Sequence, residues 1–89
     1  MNAPGDYYLT NHAREEAVRR SIPLDVLDDV LRAPTQIVVT HSGRKAYQSQ
    51  VHIDGKLYLV RAIVEETDPL TVITVYRTSK IEKYWSDEA

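Results

Sequence analysis

Apolar and polar residues alternate through the second half of the chain, a pattern typical of half-buried β-strands. Four runs of this kind follow one another, at residues 36–41, 45–53, 56–64 and 70–77. Asp54-Gly55 joins the second run to the third, and a two-residue link of this composition is a strong hairpin signal. Because the other links are also short, the four runs are expected to form an antiparallel meander.

Two helices are predicted in the first third of the chain. The first spans 12–20, since Thr10 or Asn11 can cap its start. The second begins with Pro23 in the first helical position and carries leucine and valine side chains along one face. It ends before Pro34, because a proline disfavours helical geometry in the residue that precedes it.

Together these elements predict an α+β fold. Two N-terminal helices are expected to pack on one face of a four-stranded antiparallel sheet, and a short C-terminal helix is expected after the last strand. The predicted core consists of Leu27, Leu31, Val51, Val60, Ala62, Val64 and either Val72 or Ile73.

The length of 89 residues is enough for one domain with a single core. We expect a flexible N-terminus at 1–6, which contains Pro4 and Gly5, followed by one domain at 7–89. Eleven Lys and Arg residues against 13 Asp and Glu residues give a net charge of -2. That balance excludes the overall basic field of a non-specific nucleic-acid binder and leaves room only for a local basic patch.

Composition also bears on location and chemistry. The chain has no cysteine and no apolar run near the roughly 20 residues that a membrane helix requires, so a cytoplasmic protein without a membrane partner is expected. Its histidines do not follow a metal-binding spacing, and its three glycines stand singly at turns. We therefore expect neither a metal nor another cofactor.

Arg61 is the first candidate functional residue. Strand alternation places it on the same face as Leu57, Leu59 and Ile63. An unpaired arginine is costly to bury among apolar side chains, so Arg61 is expected to have a carboxylate partner or to meet an anion in a concave surface.

The end of the last strand supplies a second group of candidates. Arg77, Lys80 and Tyr84 can each contact a phosphate or a leaving oxygen, because their side chains offer hydrogen-bond donors. The same residues also suit purely structural roles. Lys80 can belong to a helix start, and Tyr84 with Trp85 can seal the terminal helix against the core.

Short motifs make the chain resemble a known family. His12-Ala13, Arg20-Ser21-Ile22, the second helix with its Ala33-Pro34 end, and Thr74-Val75-Tyr76-Arg77 resemble the family numbered 4258 among domains of unknown function. That family is similar to BrnT-type toxins and, through them, to the RelE, barnase and colicin-like ribonuclease fold. Its first helix usually has arginine where this chain has Glu16 and glycine where it has Ser21.

The resemblance implies a metal-independent endoribonuclease of a toxin and antitoxin pair, in which the RNA 2′-hydroxyl attacks its own phosphate. In that interpretation Arg61 and Arg77 stabilise the transition state, and His12 or Tyr84 transfers the proton. Arg20 and Lys80 would bind the substrate. The implied partners are RNA and a small antitoxin protein.

Two alternatives remain open from the sequence. The first is a non-catalytic binding or regulatory module on the same fold, which the net charge of -2 and Glu16 favour. The second is a structural domain that dimerises through an exposed edge strand. We expect Arg20, Arg61, Arg77 and Lys80 to converge on one surface patch, and both the nuclease and the RNA-binding interpretations depend on this convergence. The sequence does not determine the oligomeric state.

Overall fold

A computed structural model describes residues 6–87, so all of the predicted flexible N-terminus except Asp6 lies outside the described chain. Within it, three helices and five strands follow in the order β1 (Tyr7–Leu9), α1 (Asn11–Arg19), α2 (Leu24–Arg32), β2 (Gln36–Val39), β3 (Lys45–Ile53), β4 (Lys56–Glu65), β5 (Leu70–Thr78) and α3 (Ile81–Tyr84). The strands form one sheet with the order β1-β5-β4-β3-β2.

The predicted four-stranded antiparallel sheet is wrong, because β1 adds a fifth strand that runs parallel to β5. Tyr7 lies opposite Leu70 and Leu9 lies opposite Val72. A three-residue run is too short to show an alternating pattern, and its partner strand is more than 60 positions away in the sequence. The sheet is therefore mixed, and the fold is α+β with five strands.

A side-chain contact with α2 fixes β1 in place. The Tyr7 hydroxyl donates a 2.7 Å hydrogen bond to Asp28, and the Arg32 guanidinium lies 5.4 Å from the centre of the Tyr7 ring. Burial, reinforced by the Asp28 hydrogen bond, raises the pKa of Tyr7 to about 12. The same hydrogen bond lowers the pKa of Asp28, so the neutral phenol and the ionised carboxylate stabilise each other.

The hydrophobic core lies on one face of the sheet. Its cluster of buried residues combines side chains of α1, α2, β3, β4 and β5 with Ile22, which lies between the two helices. The predicted core residues Leu27, Leu31, Val60, Ala62, Val64 and Val72 are buried within it, and Val51 packs against it partly buried. A register shift between Ile63 and Val64 places Val72 opposite Val64, and Val72 rather than Ile73 is the fully buried residue.

Both N-terminal helices begin and end as their sequences predict to within a residue or two. Thr10 caps α1 by accepting a 3.1 Å hydrogen bond from the Ala13 backbone N–H, and its hydroxyl donates to the Val72 carbonyl of β5. That single side chain therefore starts the helix and ties it to the sheet. Ala33 follows α2 as its C-cap, in front of Pro34.

After α1, Ser21 adopts a backbone φ of 54°, in the left-handed region that favours glycine. This is the position at which the resembled family usually has glycine. The glycine therefore meets a requirement of the helix end and need not belong to a functional site.

We expect Ser21→Gly to stabilise the protein by about 1 kcal/mol, because glycine removes the left-handed strain and the Ser21 side chain makes no hydrogen bond to the described residues. The free energy of unfolding in denaturant measures this change. Ser79→Gly, at an exposed position outside the left-handed region, is the matched control and is expected to give no stabilisation. Equal effects at both positions would contradict the strain argument.

Candidate anion-binding site around Arg61

Arg61 lies on the sheet face opposite the hydrophobic core, and only 7% of its surface is exposed. Its Nε donates a 2.8 Å hydrogen bond to the Gln48 side-chain oxygen, and its Nη1 donates to the Tyr76 hydroxyl. The guanidinium carbon is 4.4 Å from the centre of the Tyr84 ring and 5.6 Å from that of Tyr76. Neighbouring strands supply these contacts, because Gln48 and Tyr76 lie directly opposite Arg61 on β3 and β5.

Two glutamines attach the C-terminal segment 84–86 to this face. The Gln48 side chain donates to the Tyr84 carbonyl at 3.1 Å. Gln36 exchanges hydrogen bonds with the backbone of Ser86, donating to its carbonyl at 2.5 Å and accepting from its N–H at 3.1 Å. Gln48 also donates to Gln36 at 2.9 Å, so one continuous network runs from Arg61 to the segment. The hydrogen bonds that Gln48 and Gln36 form with the segment all use its backbone groups.

Arg61 has no acidic counterion within residues 6–87, because none of the ion pairs found there includes it. The groups that it contacts are a neutral amide and a phenol. Burial raises the pKa of Tyr76, although the nearby Arg61 opposes this, so the phenol is neutral near pH 7 and adds no negative charge. A nearly buried cation without a counterion is electrostatically costly, and a bound anion would remove that cost.

Arg61 reaches solvent at the floor of an open groove of about 630 Å³. One wall of this groove, which we call the Arg61 groove, consists of β2 and the residues after it, from Ile37 to His41. The other wall consists of 83–86, which includes Lys83, Tyr84 and Trp85. Lys83 and His41 are exposed, so two further side chains that can carry positive charge line the same groove as Arg61.

Arg77 lies on the other side of the sheet. It is opposite Val60 on β4, and adjacent residues of a strand point to opposite faces, so Arg77 shares the core-side face with Val60 while Arg61 does not. Its guanidinium carbon lies 4.4 Å from the centre of the Tyr58 ring. The predicted convergence of four cations on one patch is therefore wrong, because the register separates the two central arginines.

Three more of the predicted site residues, His12, Arg20 and Lys80, also lie outside the groove. His12 is exposed near the start of α1, on the core side of the sheet, and Lys80 is exposed at the residue before α3. Arg20 pairs with Glu16 at 3.1 Å. The hydrogen bond from Arg20, with the positive charge of Arg19, lowers the pKa of Glu16, so this part of α1 is charge-compensated. Of the predicted site residues, the structure brings together Arg61 and Tyr84.

Sequence reasoning missed four participants: Gln36, His41, Gln48 and Lys83. Alternation along 45–53 puts Gln48 on the same face as Gln50 and His52, and this polar face is a sequence signal for a polar network. Its contact with Arg61 depends on the β3–β4 register, which the Asp54-Gly55 turn suggests because it pairs Ile53 with Lys56. No local sequence feature predicts that the C-terminal segment 84–86 packs over β2 and β3.

Comparison with known proteins adds one result. The sequence profile described as "Domain of unknown function (DUF4258)" matches residues 9–77, which is most of the chain. The protein belongs to the DUF4258 family. No curated protein and no solved structure matches it. The part of the chain shared with DUF4258 includes Arg61, Gln48 and Tyr76, whereas Lys83, Tyr84 and Trp85 follow it, so one wall of the groove lies beyond the family match.

Two further observations concern residues 6–87. No cluster of three or more His, Cys, Asp or Glu side chains within residues 6–87 is arranged to hold a metal ion. None of the helices in that part of the chain is long and apolar enough to cross a membrane.

We expect sulfate to raise the thermal midpoint of unfolding above its value in chloride at the same ionic strength, because an anion that binds only the folded protein stabilises it. Sulfate also stabilises proteins non-specifically through exclusion from their surface, so the informative quantity is the difference between variants. Arg61→Met should lose the site-specific part of the increase. Arg14→Met, which removes an exposed arginine from α1, should keep it. Equal sulfate responses in both variants and the native chain would show that Arg61 binds no anion.

Proposed function

We propose that this DUF4258 member binds RNA in the Arg61 groove and cleaves it without a metal ion, as a toxin-type ribonuclease. The observation that carries the proposal is the nearly buried Arg61, which has neutral neighbours and opens into a groove beside Lys83 and His41. An RNA phosphate provides the negative charge that this arrangement lacks among the described residues. The resemblance to BrnT-type toxins supports RNA as the source of that phosphate.

The chemistry would use the side chains of the groove. Two guanidinium N–H groups of Arg61 can donate to the non-bridging oxygens of one phosphate, and this interaction strengthens as negative charge builds up in the transition state. Lys83 adds a second positive charge at the rim. His41 and Tyr84 are the groove residues able to transfer a proton between the 2′-hydroxyl and the leaving oxygen, and histidine is the commonest such group.

Glu16 does not weigh against catalysis in the Arg61 groove. The resembled family usually has arginine at that position, so its loss argued against catalysis. Glu16 belongs to α1, which packs against the core side of the sheet, and its partners there are Arg19 and Arg20. Replacement of arginine by Glu16 therefore removes no cation from the Arg61 groove.

Binding without cleavage is the second candidate. It is favoured by the net charge of -2 and by the shielding of Arg61, whose guanidinium is covered on one side by the Tyr84 ring. An RNA phosphate would still be the ligand in that case, and the protein would act as a binding or regulatory module. The implied antitoxin would then have no catalytic activity to suppress.

We expect the purified protein to bind and cleave single-stranded RNA in the presence of a chelator, with affinity falling as salt increases because phosphate contacts are screened. Lys83→Gln and Arg61→Lys should weaken binding by roughly tenfold to a hundredfold, the usual effect of losing charge-assisted hydrogen bonds. Fluorescence anisotropy of labelled RNA measures binding, and gel electrophoresis measures cleavage.

Variants on the two faces of the sheet make this test selective. Arg77→Gln removes a cation from the core-side face, and Arg14→Gln removes an exposed cation from α1. Both should leave RNA affinity within about twofold, the level expected when only distant, screened charge changes. A larger loss in Arg77→Gln than in Arg61→Lys, with folding intact, would place the site on the other face. Cleavage that requires a divalent ion would refute the mechanism.

A further inference from the structure

Within the described part of the chain, the outer edge of β2 has unpaired backbone groups. Thr40 donates its N–H to the Arg44 carbonyl across the β2–β3 hairpin at 2.8 Å. Because hydrogen-bonding direction alternates along an antiparallel strand, Val38 and Gln36 also face β3, and the N–H and C=O groups of Ile37 and Val39 point outward. β2 is the last strand of the sheet on this side, so its edge is open to a further strand.

The two sides of this edge differ in chemistry. On the core-side face, the Ile37 and Val39 side chains are 47% and 69% exposed, so they form an uncovered apolar strip at the end of the sheet. On the opposite face, β2 borders the Arg61 groove with its positively charged side chains Arg61 and Lys83. A strand added here would place alternate side chains against the apolar strip and over the groove.

The groove wall already consists of extended peptide. Tyr84 and Ser86 are held through their backbone carbonyl and N–H groups by Gln48 and Gln36, and residues 85–86 follow α3 without helical structure. This face of the protein therefore binds polypeptide backbone next to the open edge. A partner strand would extend the same type of contact across β2.

From these observations we propose that β2 is a docking edge for an extended acidic segment of another protein. The segment pairs with the outward backbone groups of Ile37 and Val39, in the manner of β-strand addition. Its apolar residues cover the Ile37 and Val39 side chains, and its carboxylates lie over the groove, which the exposed His41 and Lys83 side chains line. A second copy of this chain fits less well, because its own β2 would place Val38 and Thr40, which carry no negative charge, over the groove.

This inference does not depend on RNA cleavage, since it rests on the strand edge and on charge complementarity. It has a consequence for the proposed function nevertheless. A strand docked on β2 would cover the β2 wall of the Arg61 groove, so the partner strand and RNA would compete for the groove.

Trp85 allows a direct test, since it is the only tryptophan in the chain and lines the groove. The probe is a blocked octapeptide of alternating glutamate and valine, titrated into the full-length protein while Trp85 fluorescence is recorded. Hydrogen exchange at the Ile37 and Val39 amides provides the second measurement. We expect saturable binding and slower exchange at both amides, because strand addition places these N–H groups in hydrogen bonds.

Three comparisons separate strand addition from simple charge attraction. Val39→Pro removes an outward N–H but leaves the Val38 bonds to β3, and proline is tolerated on an edge strand. It should weaken peptide binding by about tenfold, as expected for the loss of backbone hydrogen bonds, whereas Val39→Thr should keep it. The same peptide methylated on alternate backbone nitrogens, and a lysine–valine peptide, should not bind.

The proposal is overturned if the glutamate–valine peptide fails to bind, or if it binds the native protein and Val39→Pro equally while the thermal midpoints show both to be folded. Binding of the methylated peptide without a change in amide exchange would also overturn it, since charge alone would then account for the affinity. Peptide binding together with an absence of RNA binding would uphold the docking edge and refute the proposed function. RNA binding without peptide binding would support the proposed function and refute the docking edge.

Discussion

The charge of Arg61 is the constraint on which the polar half of this structure depends. Its guanidinium is almost completely removed from water, and the residues around it are neutral. A buried cation in such a position requires hydrogen bonds in several directions and benefits from aromatic ring faces. Gln48, Tyr76 and Tyr84 provide these contacts from β3, β5 and α3, so one charge organises three elements that are distant in the sequence.

The sheet consequently has two faces with different physical roles. The core side buries aliphatic side chains beneath α1 and α2, and it supplies most of the apolar burial that holds the fold together. The opposite side uses a glutamine and tyrosine network to hold the C-terminal segment against β2 and β3. That network is satisfied within the protein, since none of the buried side-chain polar atoms of the described residues lacks a hydrogen-bond partner. The buried charge of Arg61 has no acidic counterion among the described residues, and this is why we propose a function for this face.

Local sequence features predicted the parts of the fold that depend on nearby residues. The leucine stripe, Pro34 and the Asp54-Gly55 turn gave the helices and strands almost at their observed bounds, because each signal acts within a few positions. The same reasoning recognised Arg61 as needing an anion or a carboxylate. It is wrong where the register of β4 and β5 determines which side chains share a face. The sequence predicts Arg61 and Arg77 on one patch, but they lie on opposite faces of the sheet. It also missed the pairing of β1 with β5, whose residues lie more than 60 positions apart in the sequence.

The most direct test of the account is heteronuclear NMR of the arginine side-chain Nε–H groups during titration with a short single-stranded RNA. The Nε–H of Arg61 is held by Gln48 and should give a distinct, slowly exchanging resonance. We predict that this resonance shifts saturably with RNA and that the resonance of Arg14 does not. An unchanged Arg61 resonance alongside a shifting Arg77 resonance would contradict the assignment of function to the Arg61 groove.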